Sequence, residues 1–475
     1  MCTGRVTINI LPDDVLLLIF RFDRLIFLDE PGPNGMWEAL WSQPWGWHRL
    51  VHVCRRWRSL AFASPNFLDL RLFCGPNTNP ELMGIWPPLQ VIIRNIMFLP
   101  MPEHHHSNAE IVPHNRVYEI KLLITNPGWQ RLALAMQEQF PALVHLVLCI
   151  AYIDSRHPKP ILTDRFLGGS APRLQSLITH SISFPTLPKF LLSATHLVRL
   201  DLRDIPHSGY MSPEAFVTGL AVSVNLESLC IKFQSHRSLP YQESRCQPPP
   251  TRTILPALTR IELKGVCEWL EDVVARIDVP LLDPAWITFF HPVIFDIPQL
   301  SRFIRRTAMF QAFDEAHLEI DFDSVHVGPL KVTEKHKNSS GFGISCEEMD
   351  QQLLSLVQVV ASFFHLTYVV ENVYIYGVED LLHSWRDSTG NTQWLEILHP
   401  FMGVKNLYVC RGFARRIAPA LRELVGERAR DVLPALECLF VDFPELSEPL
   451  QEALGPFVSA RQHSGHPVTL SRWIT

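Results

Sequence analysis

One short pattern recurs along most of this chain: an apolar residue, two others, an apolar residue, one other, an apolar residue. It is read at Val117/Ile120/Leu122, Leu143/Leu146/Leu148, more loosely Leu174/Leu177/Thr179, Leu197/Leu200/Leu202, Leu226/Leu229/Ile231 and Leu258/Ile261/Leu263. It continues at Leu282/Ala285/Ile287, Phe313/Ala316/Leu318, Val370/Val373/Ile375, Val404/Leu407/Val409 and Leu436/Leu439/Val441. Successive first positions lie 26, 31, 23, 29, 32, 24, 31, 57, 34 and 32 residues apart. The last three residues of each unit alternate apolar, other, apolar, the period-2 signature of a short strand with one buried face. Helix-like stretches fall between the strands, over 212–224, 266–277, 298–309, 347–364 and 419–432. Ser212-Pro213 reads as a helix start, a capping hydroxyl followed by proline at the first helical position.

A strand then a helix at a period of about 29 residues is an αβ solenoid of the leucine-rich-repeat kind, because one such unit cannot bury its apolar face without neighbours. The competing interpretation, a conventional α/β sheet with chance leucine spacing, would have to produce the same interval some ten times over. Composition agrees with stacked short elements. The chain has 475 residues, 63 of them leucine and 38 proline, with only 19% charged. That excludes disorder, collagen and a long coiled coil. The fold class is therefore α/β, a small all-α module followed by the αβ solenoid. The module covers 1–65, with an insert at about 24–46. A connecting segment and solenoid cap cover 66–115, and the solenoid 116–475. The long interval holds a polar stretch with Asn338-Ser339-Ser340-Gly341, read as a loop insertion at about 323–345. Tyr241 to Thr253, with three consecutive prolines, breaks another unit.

A net charge of −6 and a pI near 6.4 argue against a nucleic-acid partner. No apolar run reaches the ~18 residues needed to span a bilayer, and 1–14 does not read as a signal peptide. The expectation is no membrane and an intracellular protein, cytoplasmic and/or nuclear. Ten cysteines without a CxxC fit reduced, mostly buried thiols rather than a zinc site, and the sequon at Asn338 is then expected to be unused.

Ahead of the repeats, Leu11-Pro12-Asp13-Asp14 opens a helix-like run in which Val15, Leu18 and Ile19 line one side. Further on, Leu50, Val53, Cys54, Trp57 and Leu60 fall at helical spacing on one face, with Arg55, Arg56 and Arg58 facing away. The pair of segments, Leu11-Pro12-Asp13-Asp14 and Val53-Cys54-Arg55-Arg56-Trp57, resembles the F-box. An F-box before irregular leucine-rich repeats is similar to the large F-box families of mushroom-forming fungi. The resemblance implies the substrate-recognition adaptor of a Skp–cullin–F-box ubiquitin ligase. The F-box would dock the Skp subunit, and through it a cullin, while the repeats hold a protein target. Its Skp-binding residues would be Leu11, Pro12, Val15, Ile19, Leu50, Val53, Cys54 and Trp57. The segment 24–46 adds about 20 residues to the F-box pattern and carries Trp37, Trp41 and Trp45 at i, i+4, i+8. It is either a helix packed on the module or an extra contact surface. The alternative function is a leucine-rich interaction scaffold without ligase engagement.

No Walker loop, GxGxxG, HExxH or GxSxG is present, so no catalytic residue, cofactor or metal is assigned and an enzyme is not expected. His104-His105-His106, with His114, lie in a proline-bearing stretch that reads as a solvated loop. Along the strands, the residues beside the buried pairs would line one outward face. They include Arg199, Arg203, Lys232, Arg260 and Lys264, then Trp286, Tyr374, Tyr376 and Tyr408. Arginine and aromatics dominate protein interfaces. This face is the expected target-binding surface, with an acidic or phosphorylated part at the basic rungs.

Overall fold

The structure is a computed structural model that describes residues 8–26, 47–74, 89–96, 114–124, 126–150, 159–234, 251–290, 298–307, 315–320, 324–328, 341–345, 370–377, 391–424, 428, 431–442 and 448–473. The chain divides into two compact units, Met1–Leu197 and Val198–Thr475.

The first unit opens with three helices, α1 (Asp13–Ile26), α2 (Trp47–Val53) and α3 (Arg55–Ala63). Strands β1 (Arg71–Cys74), β2 (Gln90–Ile96), β3 (Val117–Ile124), β4 (His145–Ile150) and β5 (Ser176–His180) follow, each parallel to the next. Helix α4 (Asn126–Ala135) joins β3 to β4, and α5 (Leu187–Leu191) follows β5. The ladder thus begins at Arg71, earlier than position 116. What read as a connecting segment already supplies two strands. Phe67/Leu70/Leu72 even fits the repeat spacing, and Leu70 and Leu72 are buried.

The second unit contains β6 (Arg199–Ile205), α6 (Pro213–Leu220), β7 (Ser228–Phe233), β8 (Thr253–Ile254), β9 (Arg260–Gly265), α7 (Cys267–Arg276), β10 (Ile277–Asp278), β11 (Ala285–Phe290) and α8 (Pro298–Arg306). It continues with β12 (Glu315–Ile320), β13 (Ser324–Gly328), β14 (Gly341–Ser345), β15 (Asn372–Gly377), α9 (Asn391–Leu398), β16 (Asn406–Val409), α10 (Arg411–Arg422), β17 (Cys438–Val441), α11 (Glu448–His463) and β18 (Thr469–Arg472). Its strand order is β6-β7-β9-β11-β14-β13-β12-β15-β16-β17-β18. All neighbours are parallel except β13, which is antiparallel to both β12 and β14.

The repeat spacing explains the core. Leu200, Leu229, Ile261 and Ala285 stand in register, as do Leu202, Ile231, Leu263 and Ile287. All eight are buried, each contributing about 1.5–3 kcal/mol where the side chain is large. The first residue of each triplet ends a turn: the N–H of Leu143, Leu174, Leu226, Leu258 and Leu436 donates to the carbonyl three residues earlier at 3.1–3.3 Å. One carbonyl then accepts two N–H groups of the next repeat. The Glu371 oxygen takes Lys405 and Asn406 at 2.9 and 3.0 Å, and the Lys405 oxygen takes Glu437 and Cys438 at 2.8 and 2.9 Å.

The helices form a second row, α6 against α7, α7 against α8, and α10 against α9 and α11. The Ser212 hydroxyl caps α6 by accepting the Ala215 N–H at 3.3 Å, and Pro213 is the first helical residue. Glu271 of α7 accepts the Gln299 and Leu300 N–H groups at 3.0 and 2.7 Å, capping the next helix.

Two expectations are corrected. Pro419 does not start a helix: α10 begins at Arg411 and holds Pro419 inside it. The stretch 323–345 is not simply a loop insertion, because it contributes β13 and β14 to the ladder between β11 and β12. The helix expected at 347–364, the tryptophans at 37, 41 and 45, the sequon at Asn338 and the histidines at 104–106 lie outside the described residues.

Candidate functional site

The N-terminal helices form the first candidate surface. The Pro12 carbonyl accepts the Leu16 N–H at 3.0 Å, so Pro12 caps α1, and Asp13 and Asp14 occupy its first turn, where the helix dipole favours negative charge. Leu16 and Phe20, one turn apart, point inward and are fully buried. The Phe20 ring packs on Trp57 at 4.7 Å between centroids. Leu50, Val51 and Trp57 complete this small core.

The second segment is not one helix. Cys54 is extended (φ −157°, ψ 170°) and separates α2 from α3 as the cap of α3, its Sγ accepting the Trp57 N–H at 3.4 Å. Val53, the last residue of α2, is 57% exposed, off the face it was expected to share with buried Leu50 and Trp57, and the break leaves it and Trp57 in different helices. Arg56 does not simply face away either. Its guanidinium donates to the Leu11 carbonyl at 2.7 Å and to Asp13 Oδ1 at 2.6 Å, pinning the Leu-Pro-Asp-Asp turn to α3. Arg58 donates to the Val51 carbonyl at 2.8 Å.

Of the residues expected at a Skp interface, Pro12, Ile19 and Val53 are exposed. Leu11, Val15 and Cys54 are half-buried, while Leu50 and Trp57 belong to the core. Ile8, Ile10, Leu18 and Phe22 are also exposed. Among these, Leu18 was placed on the lined side of α1, and the other three were missed. A six-residue apolar run, Val15 to Phe20 with Phe22 close by, does not reveal by periodicity which side turns outward.

The second candidate surface is the outward face of the second unit. Here Arg199, Ser228 and Arg260 form one row in register, and Asp201, Cys230 and Glu262 the next. Lys232 and Lys264 pair in the third row, and Arg203 lies two residues beyond Asp201 on β6. Arg199 and Arg203 both donate to the Asp201 carboxylate at 2.8 Å. Lys232 and, at 3.9 Å, Arg203 pair with Glu262, which also accepts the Cys230 thiol at 3.4 Å. Burial alone would raise both carboxyls; the arginines hold Asp201, and Lys232 with Arg203 hold Glu262, below their ordinary range. Burial and the two carboxylates push the Cys230 thiol well up. Lys264 lies over the Phe290 ring at 5.4 Å.

The aromatic rungs are drawn together along β12, β15, β16 and β17. His317 stacks on Tyr374, Tyr374 on Tyr408, and Tyr408 on Phe440, at 4.3, 4.3 and 4.5 Å with planes within 10°. Trp473 packs against Tyr374 and Tyr408 at 6.0 and 5.7 Å. Burial and the neighbouring Glu315 push Tyr374 up to about 12. Tyr376 is buried, unlike the surface rung expected, and Trp286 folds along its own strand, its indole N–H on Thr288 at 3.1 Å. His317, Phe440 and Trp473 extend the stack beyond the aromatics singled out as target-binding.

Among the described residues there is no group of three or more His, Cys, Asp or Glu side chains able to hold a metal, and no helix long and apolar enough to cross a membrane. His114, the described neighbour of the histidine run, packs on Phe140 at 4.6 Å with the rings tilted.

No protein-family model and no curated protein matches the chain. Among solved structures it is similar to the leucine-rich repeat-containing protein LegL7 from Legionella pneumophila, at 11% identity and a TM-score of 0.27, over 84% of this chain and 98% of that one.

Proposed function

We propose that the protein is a non-enzymatic interaction adaptor whose N-terminal helices dock a Skp-family subunit, and through it a cullin ligase, while the strand ladders hold a protein target. The observation that carries this reading is the apolar surface left on the small helical module. Ile8, Ile10, Leu18, Ile19, Phe22 and Val53 are all exposed there. Such a density of exposed large apolar side chains on one small module fits a partner surface. Arg56 fixes the Leu11–Asp13 turn beside it.

The test is co-purification of the full chain with a Skp-family subunit, comparing the parent with I19E and V53D. Both positions are exposed, so both variants are expected to fold and to lose the subunit by tenfold or more. An intact parent that captures no Skp subunit defeats the reading. A second reading, a repeat scaffold without ligase engagement, draws on the inward placement of Leu50 and Trp57, which removes two residues from the expected interface. It predicts target capture with no Skp subunit present.

A further inference from the structure

We propose that the outward face of β6, β7 and β9 docks an extended, carboxylate-rich segment of a protein partner. This rests on the adaptor reading and names the chemistry of its target.

Across these strands the charges form rows: Arg199 and Arg260 on one side, Asp201 and Glu262 in the middle, Lys232, Lys264 and Arg203 on the other. The middle row lies beneath the flanking ones. The Asp201 and Glu262 side chains are 3% and 16% exposed, against 47% for Arg199, 32% for Arg203 and 25% for Lys232. The buried acids hold the cations in place without cancelling them, since five cations face these two anions and Asp204, which shares the bulge with Arg203 opposite Lys232. The neighbouring rungs on β11, Trp286 and Thr288, add no charge. An approaching partner therefore meets a positive field on rigid strands, although the chain as a whole is at −6.

The geometry selects among anions. The point where two guanidinium groups converge is already filled by the Asp201 carboxylate, so a phosphate would have to displace a buried charge to use it. The remaining cations are spread out. Arg260 and Lys264 leave β9 about 13 Å apart, and β6 and β9 are about 10 Å apart. Carboxylates distributed along an extended segment match that spread better than one dianion.

The probe is a fluorescein-labelled peptide of about 12 residues rich in Asp and Glu. Its controls are the Asn/Gln counterpart, a neutral peptide with one phosphoserine, and a single-stranded RNA of equal length. Anisotropy with the full chain is expected to show binding of the acidic peptide alone, weakening as salt rises from about 50 to 200 mM. The variant R199Q/R260Q/K264Q, which keeps the Arg203–Asp201 and Lys232–Glu262 pairs, is expected to weaken binding at least tenfold. S228E, which adds an anion between Arg199 and Arg260 without removing an ion pair, is expected to do the same. Circular dichroism melts should leave S228E close to the parent and show the triple variant, which loses the Arg199–Asp201 pair, still fully folded at the assay temperature.

No preference for the acidic over the Asn/Gln peptide, parent-like binding by both variants, or tighter binding of the phosphopeptide or RNA would overturn the proposal. Skp co-purification, run in parallel, separates the two readings. Peptide binding lost with Skp capture intact removes only this inference. Skp capture absent with peptide binding intact removes the adaptor.

Discussion

Cys54 adopts an extended conformation between two helices, and that one residue decides which side chains of the N-terminal module meet solvent. A helical reading of 50–61 advances about 100° per residue and carries Val53 and Trp57 onto one face; the break resets the phase between them. Trp57 survives the reset because it packs on Phe20. Its indole N–H is buried with no hydrogen-bond partner among the described residues. Trp57→Phe should therefore change stability by less than about 1 kcal/mol, since it removes an unsatisfied donor and keeps a ring. Trp57→Ala should cost about 3–5 kcal/mol by leaving a cavity. Urea unfolding of both variants checks the pair. Asp201 supplies a second prediction. It and Glu262 titrate below their unfolded values of about 3.9 and 4.3. Their contribution to stability is complete above that range and is lost as pH falls through the folded values. Arg203→Met should cost about 2–3 kcal/mol near neutrality and less at pH 3, read as a shrinking difference in urea midpoint.

At the scale of elements, the sequence made the inward rows legible. The triplet spacing located β3 to β7, β9, β11, β12 and β15 to β17, because burial on one face imposes period 2 on a strand. It did not locate β13 or β14. Both carry glycine and polar residues at alternate positions; Phe322/Val325/Val327 fits the triplet but follows Phe313 too closely to read as a repeat, and Gly341–Ser345 has Ser339 where the leading apolar residue would stand. Strand formation there is set by the waiting edges of β11 and β12, which is a tertiary cause. The outward face was legible in identity but not in pairing. The sequence shows which cations alternate with the core, while the collapse of Arg199 and Arg203 onto Asp201 depends on side-chain packing.

Across the whole molecule, each strand of a ladder leans on its neighbours, so damage should stay local. Leu229→Ala removes a fully buried side chain of β7 and should cost about 2–5 kcal/mol. Amide exchange should accelerate most in β7 and in its neighbours β6 and β9, and least in β16 to β18. Uniform acceleration through β6 to β18 would mean that the second unit unfolds as one block. The composition takes its meaning here too. Leucine is abundant because the chain carries its core as successive rows rather than in one centre, and low charge follows from the same arrangement.

The β13–β14 pair has a consequence for how such a chain can grow. Each antiparallel step reverses direction, and two steps restore it, so β12 leaves the hairpin running the same way as β11. The rows also pass through without slipping: Ile287 faces Phe342, Phe342 faces Val327, Val327 faces Leu318, and Leu318 faces Ile375. Antiparallel strands added in pairs are thus invisible to everything downstream, whereas a single antiparallel strand would turn every later repeat upside down. Removing 322–345 should let β11 meet β12 directly, with a cooperative melt retained, while removing 324–340 alone should abolish it. Even parity, more than the length of the insertion, is what this ladder tolerates.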